Sequence, residues 1–302
     1  MRLIKDTHID FVGTRKIWIT ISIILISIGI ISLILRGGPK YGIDFTGGTS
    51  LQIRFDKKVD IGEIRRILSG IGLGNSEIKE FAVGNEFLIR LQQQAQIEAL
   101  TEKVIGELST KLAGYNLELR SRETVGPRIG SELRRDTIKA IFFSLLLLLI
   151  YISWRFEFKF AVGAVVALFH DVMITLGFFS VFNLEISLTV VAAFLTLIGF
   201  SLNDTIVVFD RIRENLKIMR KDNYVDIFNI SINQTLSRTV LTSVTVFFVT
   251  LILLLFGGEV LRNFAFALTV GIIVGTYSSV YIASPVVIGW YMSTERKKAA
   301  RA

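Results

Sequence analysis

Long apolar runs separated by short polar links dominate the chain. The six runs are each 18 to 29 residues long and lie at 17–35, 137–154, 160–182, 188–209, 239–256 and 264–292. A helix crosses the hydrocarbon core of a bilayer, ~30 Å thick, with about 20 apolar residues. The pattern therefore predicts a polytopic α-helical membrane protein with six transmembrane helices.

Residues 36–136, between the first two runs, have the mixed pattern of a small domain. Strands are indicated by alternating apolar residues and helices by apolar residues three or four apart. The predicted order is a strand within Tyr41–Phe55, a helix capped by Asp60, strands at Glu77–Val83 and Glu86–Leu91 around a Gly84-Asn85 turn, a helix at Gln96–Leu112 and a strand at Asn116–Thr124. This βαββαβ order is typical of an α+β ferredoxin-like domain.

A pair of glycines, Gly47 and Gly48, lies inside the first predicted strand and follows Asp44. Glycines in a strand mark a bulge or a close backbone approach. A phosphate-binding loop is disfavoured, because no predicted helix begins directly after the pair.

Basic residues divide the polar links into two sets. They concentrate in residues 1–16, 155–159, 210–238 and the tail at 293–302, whereas the opposite links at 183–187 and 257–263 contain only Arg262. Short loops rich in Lys and Arg stay in the cytoplasm. Both termini are therefore predicted to be cytoplasmic and the domain at 36–136 to be exported.

The run at 17–35 is interpreted as a retained anchor rather than a cleaved signal peptide. It is longer than a usual signal core, and no small-x-small cleavage site follows it.

Composition excludes several classes of chemistry. The chain has 302 residues, a net charge of +8, no cysteine and two histidines, and its mean hydropathy is +0.57. No thiol site or zinc finger can form without cysteine, and no nucleotide-binding glycine motif occurs. We therefore expect no enzyme activity, no cofactor, no metal and no nucleic-acid partner. If the protein drives an energy-requiring process, the energy must come from a source other than a nucleotide bound to this chain.

Lys139 lies at the end of the second run, where its ammonium group can reach the membrane surface. Three acidic or basic side chains then remain deeper in the runs: His170 and Asp171 in the third and Asp204 in the fourth. A charge at the bilayer centre costs about 2.5–3.5 kcal/mol on insertion scales, so such residues are functional candidates. A structural role in a wet crevice is the alternative. Arg238, at the start of the fifth run, lies at a similar predicted depth to Asp204. We interpret Asp204 and Arg238 as a proton-relay acid and its basic partner.

Small and hydroxylated residues accompany these acids. Ser201, Asn203 and Thr242 are candidates for relay or for packing, as are His170 and Asp171. A Gly271-x-x-x-Gly275 pair favours close helix packing, and Pro285 predicts a kink in the sixth helix.

An amphipathic segment at 210–237 is predicted to lie at the cytoplasmic surface of the membrane. Its apolar stripe consists of Val225, Phe228 and Ile232. Such a stripe is typical of interfacial helices.

Four strings together resemble the SecD/SecF family of protein-export membrane proteins, which belongs to the RND-like superfamily, and within it SecF. They are YGIDFTGGT at Tyr41–Thr49, VGP at Val125–Pro127, SLNDTIVVFDRIRE at Ser201–Glu214 and NQTLSRT at Asn233–Thr239. The resemblance covers nearly the whole chain. It implies that Asp44, Gly47 and Gly48 are a family signature and that Asp204 and Arg238 are the family's proton-relay acid and basic partner.

The resemblance also implies a function. It points to a subunit of the bacterial inner membrane that, with a SecD subunit, uses the proton motive force to promote preprotein export through SecYEG, with YajC as a further candidate partner. The six spans would form an RND-like bundle in contact with membrane lipids. The alternative is a proton-coupled RND-type exporter of lipids or small molecules, which the single span–domain–span unit disfavours. A passive assembly subunit is a third interpretation.

Overall fold

A computed structural model describes residues 7–81, 85–91, 97–219 and 222–299. The described residues form two compact units, one from Tyr41 to Lys139 and the other from the residues up to Lys40 and from Ala140 onward. The sequence pattern predicts residues 36–136 for the inserted domain, within five residues of these bounds at each end. Predicted features at Val83, Gly84 and Gln96 lie outside the described residues.

Among the described residues, six helices are long and apolar enough to cross a membrane, at Phe11–Leu35, Arg128–Arg155, Phe158–Val181, Leu188–Ile218, Tyr224–Phe256 and Val260–Thr294. This confirms the predicted plan of six spans. The first five spans are α1 (Phe11–Leu35), α5 (Pro127–Arg155), α6 (Phe158–Val181), α7 (Leu188–Ile218) and α8 (Tyr224–Phe256). The sixth span consists of α9 (Gly258–Ser278), a π-helical turn (Ser279–Ala283) and α10 (Ser284–Ala299). Helices α2 to α4 belong to the inserted unit and are described below.

α1 extends beyond its apolar run because a polar residue caps it. α1 begins six residues before the run at 17–35, since the Asp10 carboxylate accepts a hydrogen bond of 2.8 Å from the Gly13 N–H. This bond and one from the Asn229 amide hold the pKa of Asp10 below its usual range. An N-cap carboxylate satisfies donors that the first helical turn leaves free.

The predicted surface segment at 210–237 is corrected by the structure. α7 continues to Ile218 and α8 begins at Tyr224, so no separate helix occupies the described part of this segment. Phe228 and Ile232 are 0% and 1% exposed and belong to the core of the bundle. Their apolar stripe packs on protein, because the spacing of apolar residues along a helix does not distinguish a protein neighbour from a lipid surface.

The sixth span is irregular just before Pro285, where the sequence predicts a kink. The π-helical turn occupies Ser279–Ala283, and the Ser284 hydroxyl donates to the Ser279 carbonyl at 3.0 Å. Proline lacks an N–H and clashes with the carbonyl four residues earlier. A widened turn accommodates both defects.

The second unit contains a short helix α2 (Ile43–Thr46) and a four-stranded sheet with two longer helices. Its elements are β1 (Gly48–Phe55), α3 (Ile61–Gly70), β2 (Glu77–Glu80), β3 (Glu86–Leu91), α4 (Ile97–Lys111) and β4 (Leu117–Val125). The sheet order is β2-β3-β1-β4 with every neighbouring pair antiparallel. This arrangement is consistent with the predicted split βαβ unit, because β3 separates β1 from β2.

Alternating residues of β1 and β3 form the core of this unit. Leu51, Ile53 and Phe55 of β1 and Phe87 and Ile89 of β3 are at most 1% exposed. They pack against a buried face of α3 and α4 that includes Ile64, Leu68, Val104 and Leu108. The period of two places these side chains on one face of the sheet.

In the bundle, α1 and α6 make a close contact through glycine. A Cβ added to Gly177 would lie 2.9 Å from the Gly29 Cα. Farther along the same interface the Ser32 and Ser180 hydroxyls are 2.8 Å apart. Small residues allow the backbones of membrane helices to approach and hydrogen-bond.

We predict that Gly177→Ala destabilises the bundle relative to Gly289→Ala. Both changes replace a helical glycine and gain about 1 kcal/mol of helix propensity, but a Cβ at Gly289 meets no atom within 4 Å. Overpacking at the α1–α6 contact should cost about 1–3 kcal/mol. Thermal unfolding of both variants in detergent measures the difference, and equal midpoints would contradict the close contact.

Candidate functional site

Asp204 lies in the interior of the bundle on α7. Its side chain is buried, at 2% exposure. The Oδ2 atom accepts a hydrogen bond of 3.1 Å from the Ser243 hydroxyl of α8. This hydrogen bond connects α7 to α8.

Arg238 also lies on α8, five residues before Ser243, and its side chain is exposed. The structure describes both residues, and no ion pair within 4 Å joins the Asp204 carboxylate to the Arg238 guanidinium. The two charges attract each other through space. The sequence predicts that Asp204 and Arg238 lie at a similar depth in the membrane. In the structure the carboxylate and the guanidinium are not in direct contact.

Of the other polar residues predicted near Asp204, Thr242 also interacts with its carboxyl group. Thr242 donates to the backbone carbonyls of Arg238 and Thr239 at 3.1 and 2.9 Å. Asn203 is exposed on α7. Ser201, one turn before Asp204, donates instead to a different acid.

That acid is Asp171 of α6, which is 1% exposed. Its Oδ2 accepts hydrogen bonds from the Ser201 hydroxyl of α7 at 2.5 Å and from the Ser278 hydroxyl of α9 at 2.9 Å. Its Oδ1 lies 2.8 Å from the Nδ1 of His170. Three partners thus surround one carboxylate, and they hold α6, α7 and α9 together.

His170 extends this cluster to α1. Its Nε2 lies 2.9 Å from the Ser22 hydroxyl and 3.1 Å from the Tyr277 hydroxyl of α9. The two hydroxyls are themselves 3.2 Å apart. We call Ser22, His170, Asp171, Ser201, Tyr277 and Ser278 the His170–Asp171 cluster.

Sequence reasoning missed Ser22 and Tyr277 as members of this cluster. Many other hydroxyls in the spans, including Thr196, Thr269 and Thr276, donate only to a carbonyl four residues earlier. Polarity inside an apolar run therefore does not identify a long-range partner. A helical stripe on α1 that contains Ser22, Gly29 and Ser32 is the signal that marked its contact with α6.

The glycine pair lies at the junction of α2 and β1, not inside the strand as predicted. Gly47 ends α2 with φ 74°, and Gly48 begins β1 with φ 137°. A Cβ on Gly48 would lie 2.6 Å from the Leu91 carbonyl oxygen. Asp44 is in the first turn of α2. The pair thus allows a sharp turn against β3, which agrees with the predicted close backbone approach.

Within the ranges that the structure describes, no group of three His, Cys, Asp or Glu side chains is placed to hold a metal ion. The chemistry that the two buried acids offer is proton binding and hydrogen bonding.

The fold and these acids define a multi-pass membrane protein with an α+β unit between its first two spans and ionisable groups inside its bundle. Residues 104–293 match the family described as protein export membrane protein SecD/SecF, C-terminal, and residues 32–59 match the SecD/SecF GG motif. The chain belongs to the SecD/SecF family.

Relatives cover nearly the full length. The chain is 47% identical to the protein translocase subunit SecF of Desulfurispirillum indicum, over 99% of this chain and 97% of that protein. It is also 47% identical to SecF of Calditerrivibrio nitroreducens, over 95% and 96% of the two chains.

A solved structure has the same fold. The crystal structure of SecDF, a translocon-associated membrane protein from Thermus thermophilus, superposes with a TM-score of 0.84 at 39% identity. It matches 95% of this chain, whereas the match spans 39% of the SecDF chain.

We predict that Gly48→Ala loosens β1 against β3, whereas Gly114→Ala does not. A residue with a side chain at the φ of Gly48 costs about 1–3 kcal/mol, and its Cβ would meet the Leu91 carbonyl. A Cβ at Gly114 meets nothing within 4 Å. Amide hydrogen exchange of the full-length protein should show lower protection in β1 and β3 for Gly48→Ala alone. Unchanged protection would refute the close approach.

Proposed function

We propose that the chain is a SecF-type subunit of the bacterial Sec protein translocase. With a SecD-like partner it uses the proton motive force to promote the passage of unfolded preproteins through SecYEG, with YajC as a further candidate partner. Full-length similarity to SecF proteins supports the assignment. The observation that carries the proton coupling is a carboxylate, Asp204, buried inside a bundle of membrane helices and hydrogen-bonded to the Ser243 hydroxyl of α8.

The matched SecDF chain supports the need for a partner. This chain corresponds to 39% of it, so SecD would supply a second bundle and the remaining exported domains. Both termini are proposed to be cytoplasmic, in the inner membrane, with the Tyr41–Lys139 unit on the opposite side.

Asp204 and Arg238 can serve as a two-state element. With Asp204 ionised, the Arg238 charge attracts it and Ser243 hydrogen-bonds to it, which favours one packing of α7 on α8. Protonation removes the attraction while the hydroxyl contact can persist. Two charge states therefore favour two arrangements of the same helices.

Magnitudes limit what one proton can do. One elementary charge crossing 100 mV provides about 2.3 kcal/mol. Shifting a two-state population from 1:99 to 99:1 takes about 5.5 kcal/mol. We therefore expect either more than one proton per cycle or two conformations of nearly equal free energy.

We predict that Asp204→Asn abolishes the proton-dependent part of translocation and leaves the complex assembled. The amide keeps the shape and can accept from Ser243, but it cannot bind and release a proton. Preprotein import into inverted membrane vesicles, with and without a proton gradient, measures the effect, and co-purification of the SecD-like partner measures assembly.

Asp222→Asn is the matched control, because Asp222 is an exposed acid in the link between α7 and α8. It should behave as the unchanged protein. Normal gradient-dependent import by Asp204→Asn would exclude this site as the coupling acid and favour a passive subunit. Normal protein import together with drug or lipid accumulation in a deletion strain would favour an exporter.

We predict that Arg238→Lys keeps most of the gradient-dependent import and that Arg238→Gln loses it. The interaction acts through space and needs a positive charge rather than the fork of a guanidinium. The same vesicle assay compares the two variants at equal complex levels. If Lys fails as completely as Gln, a direct guanidinium contact forms in another conformation and the through-space account is wrong.

A further inference from the structure

The His170–Asp171 cluster has no part in the two-state element built on Asp204. His170 and Asp171 are 5% and 1% exposed, and their partners come from α1, α7 and α9. An ionisable pair inside a membrane bundle is expensive. Its bonding pattern shows what the pair can do.

The bonds of Asp171 fix which nitrogen of His170 carries a proton. Two hydroxyls, from Ser201 and Ser278, donate to Oδ2. An ionised carboxylate only accepts hydrogen bonds, so its Oδ1 requires a donor as well. With Asp171 ionised, the facing atom, Nδ1 of His170, is N–H, as in histidines oriented by a carboxylate.

The second nitrogen of His170 is free to be either protonated or bare. Its neighbours are the hydroxyls of Ser22 and Tyr277. A hydroxyl can donate or accept. A bare Nε2 would accept from one of them, and a protonated Nε2 would donate after the hydroxyl turns. One proton can thus bind or leave without moving any heavy atom.

The charge of the pair changes with that proton. A protonated imidazole beside the carboxylate makes a neutral pair, whereas a neutral imidazole leaves one net negative charge in the bundle. Asp204 follows Ser201 by three residues on α7, on nearly the same face and about 4.5 Å farther along the axis. The same helix, α7, therefore carries a partner of Asp171 and the second acid.

The other helices packed on α6 bring few titratable groups to the cluster. α9 contributes Tyr277, and the π-helical turn contributes Tyr281, which stacks on Trp18 of α1 at 4.8 Å. Tyr291 of α10 contacts Phe160 near the start of α6, ten residues before His170.

We propose that Nε2 of His170 is a second proton-binding site and that α1 senses its occupancy through Ser22. The proposal rests on the proposed proton-coupled function, in which it supplies a second proton per cycle. Loading the site turns the Ser22 hydroxyl from donor to acceptor, so the direction of the hydrogen bond between α1 and α6 reverses.

The chain itself offers a clean test, because its two histidines are His8 and His170. His8 is exposed at the N-terminal edge, so His8→Gln leaves one imidazole to observe. We suggest nitrogen-15 NMR of this variant, labelled in histidine and reconstituted in lipid vesicles with its unlabelled partner, from about pH 9 to about pH 5.

We expect Nδ1 to remain protonated throughout and Nε2 to pass from bare to protonated as the pH falls. Ser22→Ala and Tyr277→Phe should each shift the Nε2 resonance and leave Nδ1 in place. Ser32→Ala removes a hydroxyl from the same α1–α6 interface without approaching His170, so it should change neither resonance.

An Nε2 that stays in one state over the whole range would overturn the proposal and make the cluster a structural lock. If Nε2 titrates but its resonance is the same in Ser22→Ala, α1 is not the sensor. The spectrum does not depend on transport. A static Nε2 beside a defective Asp204→Asn would refute this inference alone, and a titrating Nε2 beside a normal Asp204→Asn would refute the proposed function alone.

Discussion

A carboxylate enclosed by apolar helices must obtain its hydrogen bonds from the protein, and this requirement organises the bundle. Asp171 obtains them from His170, Ser201 and Ser278, and Asp204 obtains one from Ser243. An unsatisfied buried polar group costs about 1–3 kcal/mol. The hydroxyls that prevent this cost come from α7, α8 and α9, so the acids fix how these helices pack. Because α7 carries both Ser201 and Asp204, a shift of this one helix affects both acids.

Close approach of the backbones makes such short contacts possible. Serine is a short side chain, and it reaches a carboxylate only where the helices are close. Gly275 keeps the space beside Ser201 open, since a Cβ there would lie 3.1 Å from the Ser201 Cβ and 3.5 Å from Asp171 Oδ2. The π-helical turn begins directly after Ser278. Small residues and helix irregularities thus support the polar cluster rather than serving packing alone.

The sequence predicts the six spans, the order of the inserted unit and the buried acids, because each rests on a local pattern. Long-range partners are not local. Hydroxyls such as Ser22 share their apolar surroundings with threonines that bond only to their own helix, and depth matched Arg238 to Asp204 without giving the direction of either side chain. The amphipathic pattern predicted that Phe228 and Ile232 face the membrane surface, but they pack in the protein core. Both environments favour the same stripe of apolar residues along a helix.

α1 is anchored to the rest of the bundle at its start, in its middle and beyond its end. Its start is tied to α8, where the Asn229 and Asn233 side chains accept from the Val12 and Ile9 N–H groups, each at 3.0 Å. Its middle meets His170 through Ser22. Beyond its end, the Lys40 carbonyl accepts from the Ile186 N–H and the Lys40 ammonium pairs with Glu185 at 3.1 Å. α8 also carries Ser243, so one helix anchors the start of α1 and hydrogen-bonds to Asp204. The chain enters the Tyr41–Lys139 unit directly after Lys40, so the same helix that contacts His170 leads into that unit.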